Sequence, residues 1–180
     1  MTSEGPNSPS TITNDASAGD VEWTNPGNAA SSNDSYATAA VTPTQETNFL
    51  KCVGFGFSIP AGATINGVLA EVEGKCGNAN GAFFSSSRQR LVKAGTLSGT
   101  GATASALFGT TDAYVSIGSS STLWGTTLTA ADVNNANFGV AVRITDNGFT
   151  QTISVDHIRI TVYYTEAGTP FRRSLLGVGF

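Results

Sequence analysis

What most restricts the possible folds of this chain is an alternation with a period of two. Phe138, Val140, Val142 and Ile144 are separated by Gly139, Ala141 and Arg143, and Ile158, Ile160, Val162 and Tyr164 by His157, Arg159, Thr161 and Tyr163. Successive side chains on an extended backbone point to opposite faces, so each run is a strand with one face in a core. The same pattern predicts a strand over 49–59. Phe49, Val53, Phe55, Phe57 and Ile59 would lie on its apolar face, and the small Cys52, Gly54, Gly56 and Ser58 on the other. The two glycines there imply a bend or a close neighbour. Pro60-Ala61-Gly62 reads as a tight turn. A strand over 65–76 follows, with Val68, Ala70 and Val72 on one face and Glu71 and Glu73 beside Leu69 on the other.

Shorter strands are expected near 36–41, 82–93 and 113–117, and the last run spans 150–165. Asp146-Asn147-Gly148 is a hairpin signal because Asn and Gly tolerate positive φ. The one expected helix is a turn or two at Thr129-Ala130-Ala131-Asp132, where Thr129 can cap and Asp132 sits three residues in. Seven or eight strands, almost no helix and no fixed-period repeat predict an all-β, two-layer antiparallel β-sandwich, jelly-roll-like, with extended N- and C-terminal arms. The expected division is a polar arm over 1–20, a sandwich over 21–165 and a second arm over 166–180. The first arm is almost devoid of apolar residues, so burial would not offset its ordering entropy.

Composition narrows the function. Charged residues make up 12% of 180 residues, and 9 Lys plus Arg against 13 Asp plus Glu leave a net charge of −4. Nothing in that balance draws the chain to a phosphate backbone, so no nucleic-acid partner is expected. No apolar run approaches a membrane span of about 18 residues, so no membrane partner is expected either. Met1 to Gly19 lacks the basic start and apolar stretch of a secretory signal.

Catalytic signals are sparse. One His and two Cys at unrelated spacings do not make a zinc site, and Asp146-Asn147-Gly148 lacks the Glu that an EF-hand needs at position twelve. A loop calcium held by Asp34, Asp112 or Asp132 has no specific pattern behind it. His157 is the only imidazole available to activate a Ser or Cys, and strict alternation points Asp156 to the opposite face. An exposed or half-exposed strand histidine is therefore expected, with no catalytic residues, metal or cofactor. Glu71 and Glu73, about 7 Å apart by strand rise, overlap the spacing of glycosidase carboxylates. They read better as charges on a solvated or edge face.

If 49–59 and 65–76 are hairpin partners, Cys52 and Cys76 are offset by roughly 20 Å at strand rise, far beyond the reach of a disulfide. A bridge would survive only with the two strands in different sheets, and free thiols in a protein made in a cytoplasm are the default. Trp23 and Trp124 fit a core or interface better than a sugar-stacking platform. Arg88, Arg90 and Lys93 form a small basic patch suited to salt bridges.

The chain closes on Phe171, Arg172, Arg173, Leu175, Leu176, Val178 and Phe180, an apolar set that monomers avoid exposing. It either folds back on its own sandwich or inserts into a partner. Docking to another subunit is the preferred expectation, and these seven are the expected partner-binding residues.

Several stretches carry a resemblance. They include Trp23-Thr24-Asn25-Pro26-Gly27-Asn28-Ala29, Asp34-Ser35-Tyr36-Ala37 and the run from Phe55 to Val68. Leu123-Trp124-Gly125, Ala131-Asp132-Val133-Asn134, Phe138-Gly139-Val140-Ala141-Val142 and Val155-Asp156-His157-Ile158 complete the set. This string resembles tailed-bacteriophage virion proteins of the β-sandwich capsid-decoration, or cement, type over about residues 21–165. The resemblance implies a non-enzymatic subunit, often a homotrimer, that binds the major capsid protein and copies of itself on the outer capsid surface. Synthesis would be in the bacterial host cytoplasm. The alternative is a glycan-binding module of a tail fibre or adhesin, which requires Trp23, Trp124 or Tyr114 exposed on a concave face.

Overall fold

The computed structural model describes residues 1–82, 84, 88–104 and 107–168. Among these, ten strands form two antiparallel sheets of five, the all-β sandwich expected. The first sheet contains β1 (Thr2–Asn7), β3 (Ala37–Val41), β5 (Thr64–Cys76), β8 (Ala113–Gly118) and β10 (Gln151–Thr165). Its order is β1-β10-β5-β8, with β3 also paired to β10. The second contains β2 (Thr11–Asp15), β4 (Phe49–Val53), β6 (Arg90–Lys93), β7 (Thr96–Ser98) and β9 (Gly139–Val142), in the order β2-β4-β9-β6-β7.

The apolar positions of the alternating runs meet between the sheets. Val68, Ala70, Val72, Ile158, Ile160 and Val162 of the first sheet join Leu50, Cys52, Leu91, Val140 and Val142 of the second in one buried cluster. Burying each of the larger aliphatic side chains contributes about 1.5–3 kcal/mol, enough in sum to close the slab. Trp23 and Trp124 belong to this core, 4% and 0% exposed, and their indole N–H groups donate to the Asn48 and Val68 carbonyls at 2.8 and 2.9 Å. They are unavailable as a sugar platform. The helix forms where expected: α1 (Ala130–Val133) starts on a capping box in which Thr129 and Asp132 satisfy each other's backbone N–H groups.

Several expectations need correction. Residues 1–20 are not an arm, because β1 pairs with the end of β10 and β2 pairs along β4. The backbone ladder supplies what the polar side chains do not, and Ile12 packs against the core. The predicted strand over 49–59 stops at Val53, and its inward residues are the even Leu50 and Cys52. Gly54 and Gly56 adopt φ of +80° and +69°, which breaks the strand and swings Phe55, Phe57 and Ile59 inward from a loop. The turn Pro60-Ala61-Gly62 forms, with the Ala63 N–H donating to the Pro60 carbonyl at 3.1 Å. It joins the two sheets, however, since β4 and β5 are not paired. Cys52 and Cys76 are both free and buried.

Asp146-Asn147-Gly148 likewise connects β9 and β10 across sheets, so it is a corner and not a hairpin. Among the described residues of the predicted 82–93 strand, Arg90–Lys93 form β6, and β7 had no expectation behind it. The residues expected to bind a partner, Phe171, Arg172, Arg173, Leu175, Leu176, Val178 and Phe180, lie outside the described residues.

Candidate functional site

Strand β10 is fifteen residues long and serves three neighbours. β5 runs along one edge; on the other, β3 pairs with Gln151–Val155 and β1 with the stretch from Ile160 to Tyr164. Between β3 and β1 the edge of β10 is met by the segment after residue 29, where Ala30 forms an isolated bridge with His157. There β10 also bulges: Val155 pairs with Gly74 and His157 with Glu73, leaving Asp156 as the extra residue. Val155 and Ile158 both face the core, so Asp156 and His157 both lie on the side away from it. The expectation that Asp156 opposes His157 is thereby overturned.

The bulge organises a polar layer on the outer face of the first sheet. His157, 7% exposed, is held by both ring nitrogens, with Ser8 Oγ 2.9 Å from Nε2 and Tyr114 Oη 2.9 Å from Nδ1. It is buried, contrary to the exposed or half-exposed strand histidine expected. Burial is the main force lowering its pKa and Arg159 adds to it, while Glu73, Asp156 and Glu71 pull the other way. The Tyr114 phenol is raised, first by burial and then by the Glu73 carboxylate. Arg159 lies over the Tyr114 ring at 3.9 Å and donates from Nε and Nη2 to Glu71 at 2.9 and 3.1 Å. The two glutamates thus stand on an interior strand and not on a sheet edge.

Beside this lies an acidic group. Carboxylate oxygens of Asp34, Asp112 and Asp156 lie within 4.8 Å of one another. Asp156, 2% exposed, accepts the Asn33 backbone N–H at 3.1 and 3.3 Å, and burial is the chief reason its pKa is raised. The Tyr36 hydroxyl meets Asp112 at 2.6 Å and Asp34 at 3.1 Å. That bond to Asp112 is the largest cause of its raised pKa. Lys75 donates to the same hydroxyl at 2.8 Å and sits over the ring, 4.1 Å from its centroid. Oxygen donors in this arrangement are of the type a hard cation takes, and they are the described residues that could hold one. The arrangement also pins the segment from Ala30 to Tyr36 onto the sheet.

Comparison with known proteins finds no matching family model, no matching curated protein and no matching solved structure.

Two of the three aspartates considered for calcium, Asp34 and Asp112, do come together, joined by Asp156. Asp132 is elsewhere, in the α1 capping box and 3.2 Å from Lys93. The basic patch is dispersed: Arg88 pairs with Glu46, Lys93 with Asp132, and Arg90 donates to the Thr100 carbonyl at 3.2 Å. Tyr114 is half-buried under Arg159, so no member of the proposed sugar platform presents a bare ring. Sequence reasoning missed Ser8 and the meeting at Asp156. A signal for the second existed: apolar residues are odd-numbered at Ile153 and Val155 but even-numbered from Ile158 onward, and such a phase slip marks a bulge.

Proposed function

We propose that this chain is a non-enzymatic structural subunit of a bacteriophage virion. In this reading it acts by attachment, as a decoration protein that associates with copies of itself, as a homotrimer, and binds the major capsid protein on the outer capsid surface. The observation that carries the reading is the use made of the polar layer. Ser8 meets His157, Asn33 meets Asp156 and Tyr36 meets Asp112, so titratable groups that could serve chemistry instead fasten surface segments to a sheet. A slab stiffened in this way suits a repeated lattice contact, where valency multiplies modest individual affinities. The resemblance over 21–165 supports the same conclusion, as does an apolar C-terminal stretch of a kind that monomers avoid exposing.

The test is occupancy on particles of the phage that encodes the chain, prepared without it and then supplied with purified protein. Full-length protein is expected to saturate the particles, and a chain lacking Thr169 to Phe180 to lose at least tenfold in affinity. Equal occupancy by both would refute the tail's role. Native mass spectrometry of the bound assembly reads the copy number, three being the expected unit.

A further inference from the structure

Asparagine precedes glycine three times, at Asn66-Gly67, Asn80-Gly81 and Asn147-Gly148. In such a pair the backbone nitrogen of the glycine can attack the side-chain amide before it, because the glycine has no Cβ to hinder the approach. The fold treats the three sites differently. Gly67 is buried inside β5 and paired with Tyr163, and a Cβ there would meet the backbone of Ser119 and Ser120. Gly81 is buried too, and its N–H donates to the Asn78 carbonyl at 3.0 Å. Gly148 is exposed in the corner between β9 and β10, at φ +81°, with nothing within 4 Å of a Cβ built on it. Its N–H donates to no described residue.

We infer that Asn147 is a site of spontaneous deamidation, singled out from the other two by the fold. The Gly148 nitrogen forms a bond to Asn147 Cγ and closes a cyclic imide. The bond from Cγ to Nδ2 breaks, and the proton lost from Gly148 leaves with the amide nitrogen as ammonia. Water then opens either imide C–N bond to give aspartate or isoaspartate, so one water is consumed for each ammonia released. Ring closure requires the backbone to rotate so that the glycine nitrogen reaches Cγ. At Gly148 that rotation breaks no backbone hydrogen bond, whereas in β5 it would open a ladder and at Gly81 it would break the bond to Asn78. The asparagine amides do not decide the matter, because both are engaged: Asn80 Nδ2 donates to Asn78 Oδ1 at 2.8 Å and Asn147 Nδ2 to the Asn80 carbonyl at 2.6 Å.

That second bond ties the corner to the loop over 78–81. Deamidation replaces its donor with a carboxylate, which accepts only and faces the Asn80 carbonyl without a bond. It also sets a new negative charge beside Asp146, which is 6% exposed and whose Oδ2 meets no donor among the described residues. A tie between two loops becomes a repulsion.

The test holds the full native chain at mildly alkaline pH and digests aliquots over time. Mass spectrometry then reads the amide-to-acid mass gain at each of the three asparagines. In the folded chain Asn147 is expected to convert at least tenfold faster than Asn66 or Asn80. In urea strong enough to unfold the chain, the three rates should become alike. Conversion at Asn66 or Asn80 as fast as at Asn147 in the folded chain overturns the inference, and so does a preference for Asn147 that persists undiminished in urea. A second measurement reads the consequence. Asn147→Asp carries the product side chain from the start, and its amide hydrogen exchange over 78–81 should be at least threefold faster than in the native chain. Unchanged exchange there would overturn the claim that the modification frees the loop.

Discussion

On the side of the first sheet that faces away from the core, Glu71, Glu73, Tyr114, Asp156, His157 and Arg159 make a layer of directional polar contacts. On the corresponding side of the second sheet, Phe49, Val92 and Ala141 form a small buried apolar cluster, packed with Ala18, Val53 and Leu97. Its charges, Lys51 to Asp15 at 3.5 Å and Arg143 to Glu46 at 3.1 Å, are half-buried and peripheral. The two layers do different work. An apolar patch stabilises whatever covers it without specifying how the cover is oriented. A hydrogen-bonded layer contributes less net free energy per contact but fixes one arrangement, because a mispaired buried polar group is costly. Both layers are completed by the first twenty residues, Ser8 reaching one and Ala18 the other.

That shared dependence gives the largest expected effect. A chain lacking residues 1–20 loses β1 from the first sheet and β2 from the second, exposing the edges of β10 and β4 and uncovering both outer layers. Circular dichroism melting should show loss of the cooperative transition or a fall of more than about 15 °C, since typical domains hold only about 5–15 kcal/mol in reserve. A melt within about 2 °C of the full chain would reinstate the segment as an arm.

Smaller substitutions separate the layers. Phe49→Ala, at a side chain 5% exposed, should cost about 3 kcal/mol in urea unfolding. Glu71→Gln on the other face breaks a partly exposed pair with Arg159 and should cost about 1 kcal/mol or less. Equal costs would erase the distinction between an apolar and a polar face. Ser8→Ala removes one hydrogen bond and should cost about 1 kcal/mol. Its signature is local: amide hydrogen exchange should speed up over Thr2–Asn7 and stay unchanged over Thr11–Asp15. Uniform acceleration across both strands would show that the Ser8 contact does not orient β1.

The strands most legible in the sequence were those whose apolar period continues inside a sheet, such as Val68, Ala70 and Val72. Those contacts are set by local alternation alone. The N-terminal strands were illegible because an edge strand is held by a backbone ladder that side-chain polarity does not report. Phe55, Phe57 and Ile59 misled for a related reason: their alternation survived while Gly54 and Gly56 turned the backbone out of strand geometry. Asp34, Asp112 and Asp156 are separated by tens of residues, so only the fold could bring them together. The slip of phase at Asp156 was readable and carried the local part of that information.

The subtlest way to sharpen the contrast is pH, because the polar layer contains the chain's only imidazole. His157 is held below its ordinary 6.5 mainly by burial, with Arg159 in the same sense and Glu73, Asp156 and Glu71 opposed. Between the folded value and 6.5 the unfolded chain binds more protons than the folded one, so stability is fully present above 6.5 and declines as pH falls through that window. Asp156, raised from 3.8, acts with the opposite sign. The informative quantity is therefore the difference between the native chain and His157→Gln, which retains a polar side chain but does not titrate. Urea midpoints at about pH 7.5 and 5.5 should show the native chain losing more stability than the variant over this interval. Parallel pH dependences would mean that the ring between Ser8 and Tyr114 is free to accept a proton as readily as in the unfolded chain. The polar layer would then exert no hold on it.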